Sequence, residues 1–235
     1  MLRLDSLSFA SRGRKILSDV TTGIPDGALT CLIGANGAGK TTLLRVLLGE
    51  LMAVSGTFYI DSTRASLLSP KQIATYFAVI PQGIQPPPDF TVFELVSLGC
   101  SPPNRTLWWR MSAAELTSVQ AYIVRCEVSQ FTERRVEELS GGEQRRAWLA
   151  FALAQRKRFL LLDETLDGLD VLAKQSFFKL LKEVASEGKG ILLTTHDLDL
   201  VTHFADRVIV LSGGRVSYEG PPVANLQDMM LPASP

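Results

Sequence analysis

The sequence predicts an α/β fold in which an alternating strand–helix core is opened by an antiparallel β segment and interrupted by an inserted helical lobe. Three observations carry the prediction. Short apolar runs at 28–33, 159–162, 191–195 and 207–211 alternate with helical spacing at 40–48 and from about 171 to 186. A glycine-rich loop joins the first of those strands to the first helix. Between about 83 and 135 the chain changes character: prolines at 86–88, 102 and 103 punctuate it, and Ser112 followed by Glu115 has the capping-box form that opens a helix.

Taken in order, residues 2–9 roughly alternate apolar and polar side chains, 11–14 read as a turn, and 15–24 resume an extended pattern before Pro25, Asp26 and Gly27. The run 28–33 is a buried strand, and the helix from Lys40 ends at Gly49, a plausible C-cap. After the lobe come the strand at 159–162, the helix at 171–186, the strand at 191–195, a short helix reaching Ala205, and the strand at 207–211. The tail beyond Gly220 is too short for a regulatory domain, and there is no internal repeat. The expected organisation is one domain over 1–235, with a core from 1–82 and 159–235 and a helical subdomain from 83–158.

The composition excludes several classes. With 24 Lys+Arg against 24 Asp+Glu, the chain lacks the basic excess from which phosphate-backbone binding draws its affinity, so nucleic acid is not the expected partner. Cys31, Cys100 and Cys126 form no CxxC pair, and neither a disulfide framework nor a zinc site is indicated. The longest apolar stretch, 147–154, falls short of the roughly 18 to 20 residues that span a bilayer, and the first residues lack a signal-peptide h-region. A soluble chain in a reducing cytosol is expected.

Gly34, Ala35, Asn36, Gly37, Ala38, Gly39, Lys40 and Thr41 fit G-x-x-x-x-G-K-[ST] between a strand and a helix, the context in which that pattern has mechanical meaning. The glycines let backbone N–H groups curl around a polyphosphate, and the helix N-terminus adds partial positive charge. Lys40 reaches the β/γ-phosphates and the Thr41 hydroxyl ligates Mg²⁺. A glycine-rich turn is the bland alternative. Asp163 and Glu164 end an apolar strand; beside such a loop, adjacent carboxylates divide labour, Asp163 holding the Mg²⁺ shell and Glu164 polarising the attacking water. The alternative there is an ordinary strand-end turn. His196 follows a strand and projects toward the ligand crevice, or is a satisfied loop histidine.

A second helix start at Leu139, Ser140, Gly141, Gly142 and Glu143, with Ser140 as N-cap, again faces an anion. With it the sequence resembles the nucleotide-binding subunit of ATP-binding cassette (ABC) transporters, over nearly the whole chain and in the family's order. The resemblance makes 34–42, including Thr42, the Walker A loop and Gln82 the Q-loop. It makes 139–143 the signature, 160–164 the Walker B strand, Leu169 and Asp170 the D-loop, and His196 the switch histidine. It implies the ABC ATPase fold, ATP and Mg²⁺, catalytic roles for Glu164, His196 and Gln82, and metal contacts from Thr41, Gln82 and Asp163. It also implies a head-to-tail dimer of cassettes, in which Ser140, Gly141, Gly142 and Asp170 of one subunit complete the other's site.

This chain departs from the family pattern at three places. Ser11 stands where an aromatic residue stacks on adenine, so stacking is absent or passes to Arg12 or Phe9. Thr165 stands where proline is usual after the catalytic glutamate, and Arg145 where glutamine is frequent after the signature. The stretches 69–82 and 90–99 are similar to importer cassettes for metal chelates such as siderophore, haem and cobalamin. The resemblance thus implies a cytoplasmic subunit, peripheral on the inner face of the membrane, driving separate permease subunits with a solute-binding protein in the full complex. The alternative is a soluble cassette ATPase that remodels a cytosolic complex. Leu107, Trp108, Trp109 and Arg110 are a candidate docking patch or lobe packing.

Overall fold

A computed structural model describes residues 1–85, 88–101 and 111–230. The candidate docking patch at 107–110 lies outside them. Strands β1 (Leu2–Ser11) and β2 (Arg14–Ile24) form an antiparallel hairpin. Its two-residue turn places Arg12 at φ 49° and Gly13 at φ 76°, the double left-handed geometry whose twist matches the flanking strands. β3 (Leu29–Ile33) leads through the glycine loop into α1 (Lys40–Leu47), which Gly49 terminates at φ 73°.

β4 (Ser55–Ile60) and β5 (Thr63–Arg64) follow, then α2 (Pro70–Ile73) and β6 (Phe77–Ile80). The helical segment holds α3 (Val92–Cys100), α4 (Ala113–Arg125) and α5 (Gly141–Ala154). The chain then runs β7 (Phe159–Asp163), α6 (Val171–Ser186), β8 (Gly190–Thr194), α7 (Leu198–Phe204), β9 (Arg207–Ser212), β10 (Arg215–Gly220) and α8 (Leu226–Met229).

Two sheets result. One is antiparallel, in the order β2-β1-β4-β5; the other runs β10-β9-β3-β8-β7-β6, parallel except for β10 at its edge. The strands β3, β7 and β8 are buried throughout, as apolar strands covered on both faces must be. Their alternation divides the core. Leu32, Leu161 and Leu192 join α1 and the antiparallel sheet on one face, while Leu160, Leu162 and Leu193 join α5 and α6 on the other. Each such side chain contributes roughly 1.5–3 kcal/mol by burial, so the sheet is the rigid platform on which the loops at its ends are held.

The second cluster continues without a break from Cys31 and Ile80 through Val96, Val119 and Ile123 to Leu153. Helices α3 and α5 cross closely at Gly99, where a Cβ would lie 2.4 Å from the Phe151 carbonyl. Capping boxes open α3 (Thr91 with Glu94), α4 (Ser112 with Glu115) and α5 (Ser140 with Glu143). At the opposite end of the sheet, Arg158 pairs with Asp26 at 2.7 Å and with Asp61, tying the strand that carries Asp163 to two turns of the β1–β5 region.

The structure adds β4, β5, β6 and β10 to the strands read from sequence. β4 begins with Ser55 and Gly56, and β10 is a half-exposed edge whose partner, β9, decides its conformation. β8 starts and ends one residue early, which leaves Thr195 and His196 on the loop beyond it. No helix among the described residues is long and apolar enough to cross a membrane.

Candidate functional site

The carboxyl ends of β3, β7 and β8 and the loop after β6 converge on a cleft of about 650 Å³ lined by Asn36, Gly37, Gly39, Lys40, Thr41, Thr42, Gln82 and Glu164. In an open parallel sheet this is the end at which ligands bind. Within the loop, Gly37 (φ 78°) and Gly39 (φ 106°) adopt left-handed backbone, and a Cβ on Gly39 would meet Leu17 at 2.8 Å and the Ile16 carbonyl at 3.1 Å. A Cβ on Gly34 would lie 2.3 Å from the Leu211 carbonyl, so strand β9 seals the back of the loop. Ala38 is buried and its N–H donates to the Ala35 carbonyl at 3.0 Å. Gly39 caps α1 without any side-chain hydrogen bond, so the first N–H groups of that helix are left for a ligand.

One carboxylate gathers the rest. Glu164 Oε1 lies 3.4 Å from Lys40 Nζ and 2.8 Å from His196 Nε2, and its Oε2 accepts from Gln82 Nε2 at 2.7 Å. Lys40, buried, also donates to the Gly34 carbonyl at 2.9 Å. The sequence-predicted Lys40, Gln82, Glu164 and His196 therefore meet at one point although they come from four separate segments of the chain. Asp163 is 5% exposed; its Oδ1 accepts from the Thr194 hydroxyl at 2.7 Å, and Oδ2 has no hydrogen-bond partner among the described residues. The Thr41 hydroxyl is open to the cleft.

Ser140, Gly141, Gly142 and Asp170 are not brought to this cleft. They line a separate one of about 450 Å³, together with Gly168 and Leu169. There Ser140 accepts from the Glu143 N–H at 3.4 Å and its own N–H donates to Glu143 at 2.8 Å, while Asp170 caps α6 by accepting from Ala173 at 2.9 Å.

Neither Phe9 nor Arg12 lines this cleft: Phe9 packs against the α1-side core, and Arg12 sits at the exposed hairpin tip. Arg14, Lys15 and Ile16 occupy that wall instead, with Gly213 and Gly214 of the β9–β10 turn. The wall holds together because Gly214 accepts from the Ser18 N–H at 2.8 Å and packs on Ile16. The other two departures meet each other, since Arg145 Nε donates to the Thr165 carbonyl at 2.6 Å and joins the signature helix to the turn after Glu164. Sequence reasoning also passed over Thr194 and the Lys174–Asp197 pair (3.0 Å), which anchors the loop carrying His196 to α6. The available signal for Thr194 was a hydroxyl in an otherwise apolar strand.

A parallel sheet with a glycine loop opening an uncapped helix, a buried lysine and a strand-end carboxylate pair defines a P-loop nucleotide-binding protein. The chain belongs to the ABC transporter family, whose model, described as "ABC transporter", matches residues 17–167. It is similar to the hemin import ATP-binding protein HmuV of Agrobacterium fabrum, 34% identical over 97% of this chain and 88% of the relative. It is similar also to the iron(3+)-hydroxamate import ATP-binding protein FhuC of Bacillus subtilis, 34% identical over 93% of this chain and 81% of that one. Its fold matches the dimeric structure of MJ0796, a bacterial ABC transporter cassette, with a TM-score of 0.81 at 25% identity, covering 95% of this chain and 100% of the other. It is an ABC ATPase cassette, and its nucleotide is ATP.

Proposed function

We propose that this chain hydrolyses Mg·ATP as one of two identical cassettes and thereby drives import of a metal chelate through separate permease subunits. The observation that carries this reading is the convergence of Lys40, Gln82 and His196 on the Glu164 carboxylate beside an uncapped helix N-terminus. Without nucleotide, Lys40 is held by Glu164 and the Gly34 carbonyl. A polyphosphate drawing Lys40 toward its β/γ oxygens removes that cation from Glu164 and leaves the carboxylate to accept a proton from water. His196, on the loop beyond β8, is placed to follow the γ-phosphate, and Gln82 reports the same event to the helical segment that begins after it.

Bound Mg²⁺ would neutralise charge on the β- and γ-oxygens. The Thr41 hydroxyl, Asp163 Oδ2 and the Gln82 amide oxygen form a hard oxygen donor set suited to it, and Asp163 has a free oxygen to give. Gln82 must then release Glu164.

Ser140, Gly141, Gly142 and Asp170 lie in their own cleft, so they serve the ATP of a partner cassette, the γ-phosphate linking the two chains until hydrolysis opens them. The import role and the chelate class rest on the named activities of the hemin and hydroxamate relatives. We place the subunit on the cytoplasmic face of the membrane, held there by its permease, with a solute-binding protein delivering the cargo. The helical segment 83–158 is the subdomain that contacts the permease.

The test is to express Glu164→Gln in the native host and identify what copurifies from solubilised membranes with Mg·ATP. A polytopic permease, with its solute-binding protein naming the chelate, supports the reading. Recovery of a soluble complex alone would replace it with a remodelling ATPase.

A further inference from the structure

We propose that Thr194 is a positioning residue for hydrolysis, one hydroxyl that sets both acidic residues at the end of β7; this rests on the Mg·ATP hydrolysis reading above. β7 and β8 pair in parallel with Asp163 opposite Thr194, which puts the two side chains on the α1 face of the sheet. Thr194 is wholly buried and its hydroxyl has one proton, which it donates to Asp163 Oδ1 at 2.7 Å. The Thr194 hydroxyl oxygen in turn accepts from the Glu164 N–H at 2.8 Å. The hydroxyl's one proton and one of its lone pairs thus engage two consecutive residues, one through its side chain and the other through its backbone.

Each bond has a separate consequence. Occupying Oδ1 orients the Asp163 carboxylate and leaves Oδ2 as its free oxygen, in the manner of outer groups that orient metal-binding carboxylates. Holding the Glu164 N–H stabilises that residue at φ 45°, a left-handed conformation that is unfavourable for a non-glycine residue. From that backbone the Glu164 side chain reaches Lys40, His196 and Gln82. Sheet register, not a loop, therefore delivers the alignment of the two carboxylates.

The purified full-length chain, Thr194→Val and Thr194→Ser are compared for ATP hydrolysis across a Mg²⁺ titration and for ATP binding in EDTA, with thermal midpoints as the control for folding. Valine keeps the shape and removes both bonds. It is expected to lower kcat at least about tenfold and to raise the half-saturating Mg²⁺ concentration severalfold. KM for ATP and metal-free ATP binding should stay within about twofold. Serine should restore kcat and the Mg²⁺ dependence. If valine does not fold, Thr194→Cys, a weak donor of similar size, should fall between threonine and no activity, with serine above it. A folded valine variant with the parent's kcat and Mg²⁺ dependence would overturn the proposal alone, as would a serine variant no better than valine. A parent chain that neither binds nor hydrolyses ATP would overturn the hydrolysis reading and this one together.

Discussion

Two helix starts in this molecule face outward with the same backbone polarity, and they are finished in opposite ways. α1 opens on Gly39, left-handed and without a side-chain cap, with Lys40 buried behind it. α5 opens on Ser140, whose hydroxyl and N–H are both exchanged with Glu143 in a closed capping box. Among the described residues no side chain caps the first N–H groups of α1, so that end depends on a ligand. Those of α5 are partly answered from within, so it persists without one. On the function proposed above, the difference separates an end that captures the nucleotide from one that waits, already folded, for a nucleotide brought by another subunit.

The sharpest way to break this contrast is to remove the cation at the open end. Lys40→Ala should weaken ATP binding by about 100-fold or more in calorimetry, since charge-assisted contacts to phosphate are the strongest the loop can make. Near-parental affinity would remove the cradle assignment. Glu164→Gln leaves that end intact; turnover should fall by about 100-fold or more while ATP binding persists and a dimer accumulates in light scattering. Equal turnover in parent and variant would deny Glu164 its role.

At the closed end, Ser140→Ala should leave the single chain's ATP affinity unchanged and abolish the ATP-dependent dimer, with a loss of about 1 kcal/mol of stability in denaturant titration from the missing cap. Weakened ATP binding by the monomer would erase the distinction between the two ends.

The smallest effect concerns the far end of the sheet. There the Arg158 guanidinium first, and the Met1 ammonium after it, hold the Asp26 carboxyl down to about 2 from its ordinary 3.8, and Asp61 is lowered in the same way. Because the folded values lie below the unfolded ones, this contribution is complete above about pH 5 and drains as pH falls through 4 toward 2. These groups are open to water, so the effect is modest. Thermal midpoints measured from pH 6 to pH 3 should fall less steeply for Arg158→Met than for the parent, and parallel curves would show that the cluster adds nothing.

Much of the site was legible because its parts are motifs with fixed local geometry. Lys40 follows its glycines directly, Asp163 and Glu164 end an apolar run, and the capping boxes at Ser112 and Ser140 are written in four residues each. α3 carried the same signature in Thr91 and Glu94 and passed unread beside its prolines. Strands β4 and β10 were not legible, because a half-exposed strand with Gly or alternating polar residues becomes a strand only when a partner accepts its hydrogen bonds. The wall of Arg14, Lys15 and Ile16 was illegible for a related reason, since it faces the cleft only through the packing of Gly214 against β2.

By itself, then, the sequence determined which residues are candidates for the chemistry and which short elements present them, because capping, glycine backbone freedom and apolar periodicity act over a few residues. Tertiary structure alone decided the company those residues keep. It joined Lys40 to Glu164 and Arg145 to Thr165, set the Thr194 hydroxyl between the Asp163 carboxylate and the Glu164 N–H, and held the signature apart from the loop. Such contacts depend on strand order and parallel register between segments distant in the chain, and these are set when the whole core closes around β3, β7 and β8.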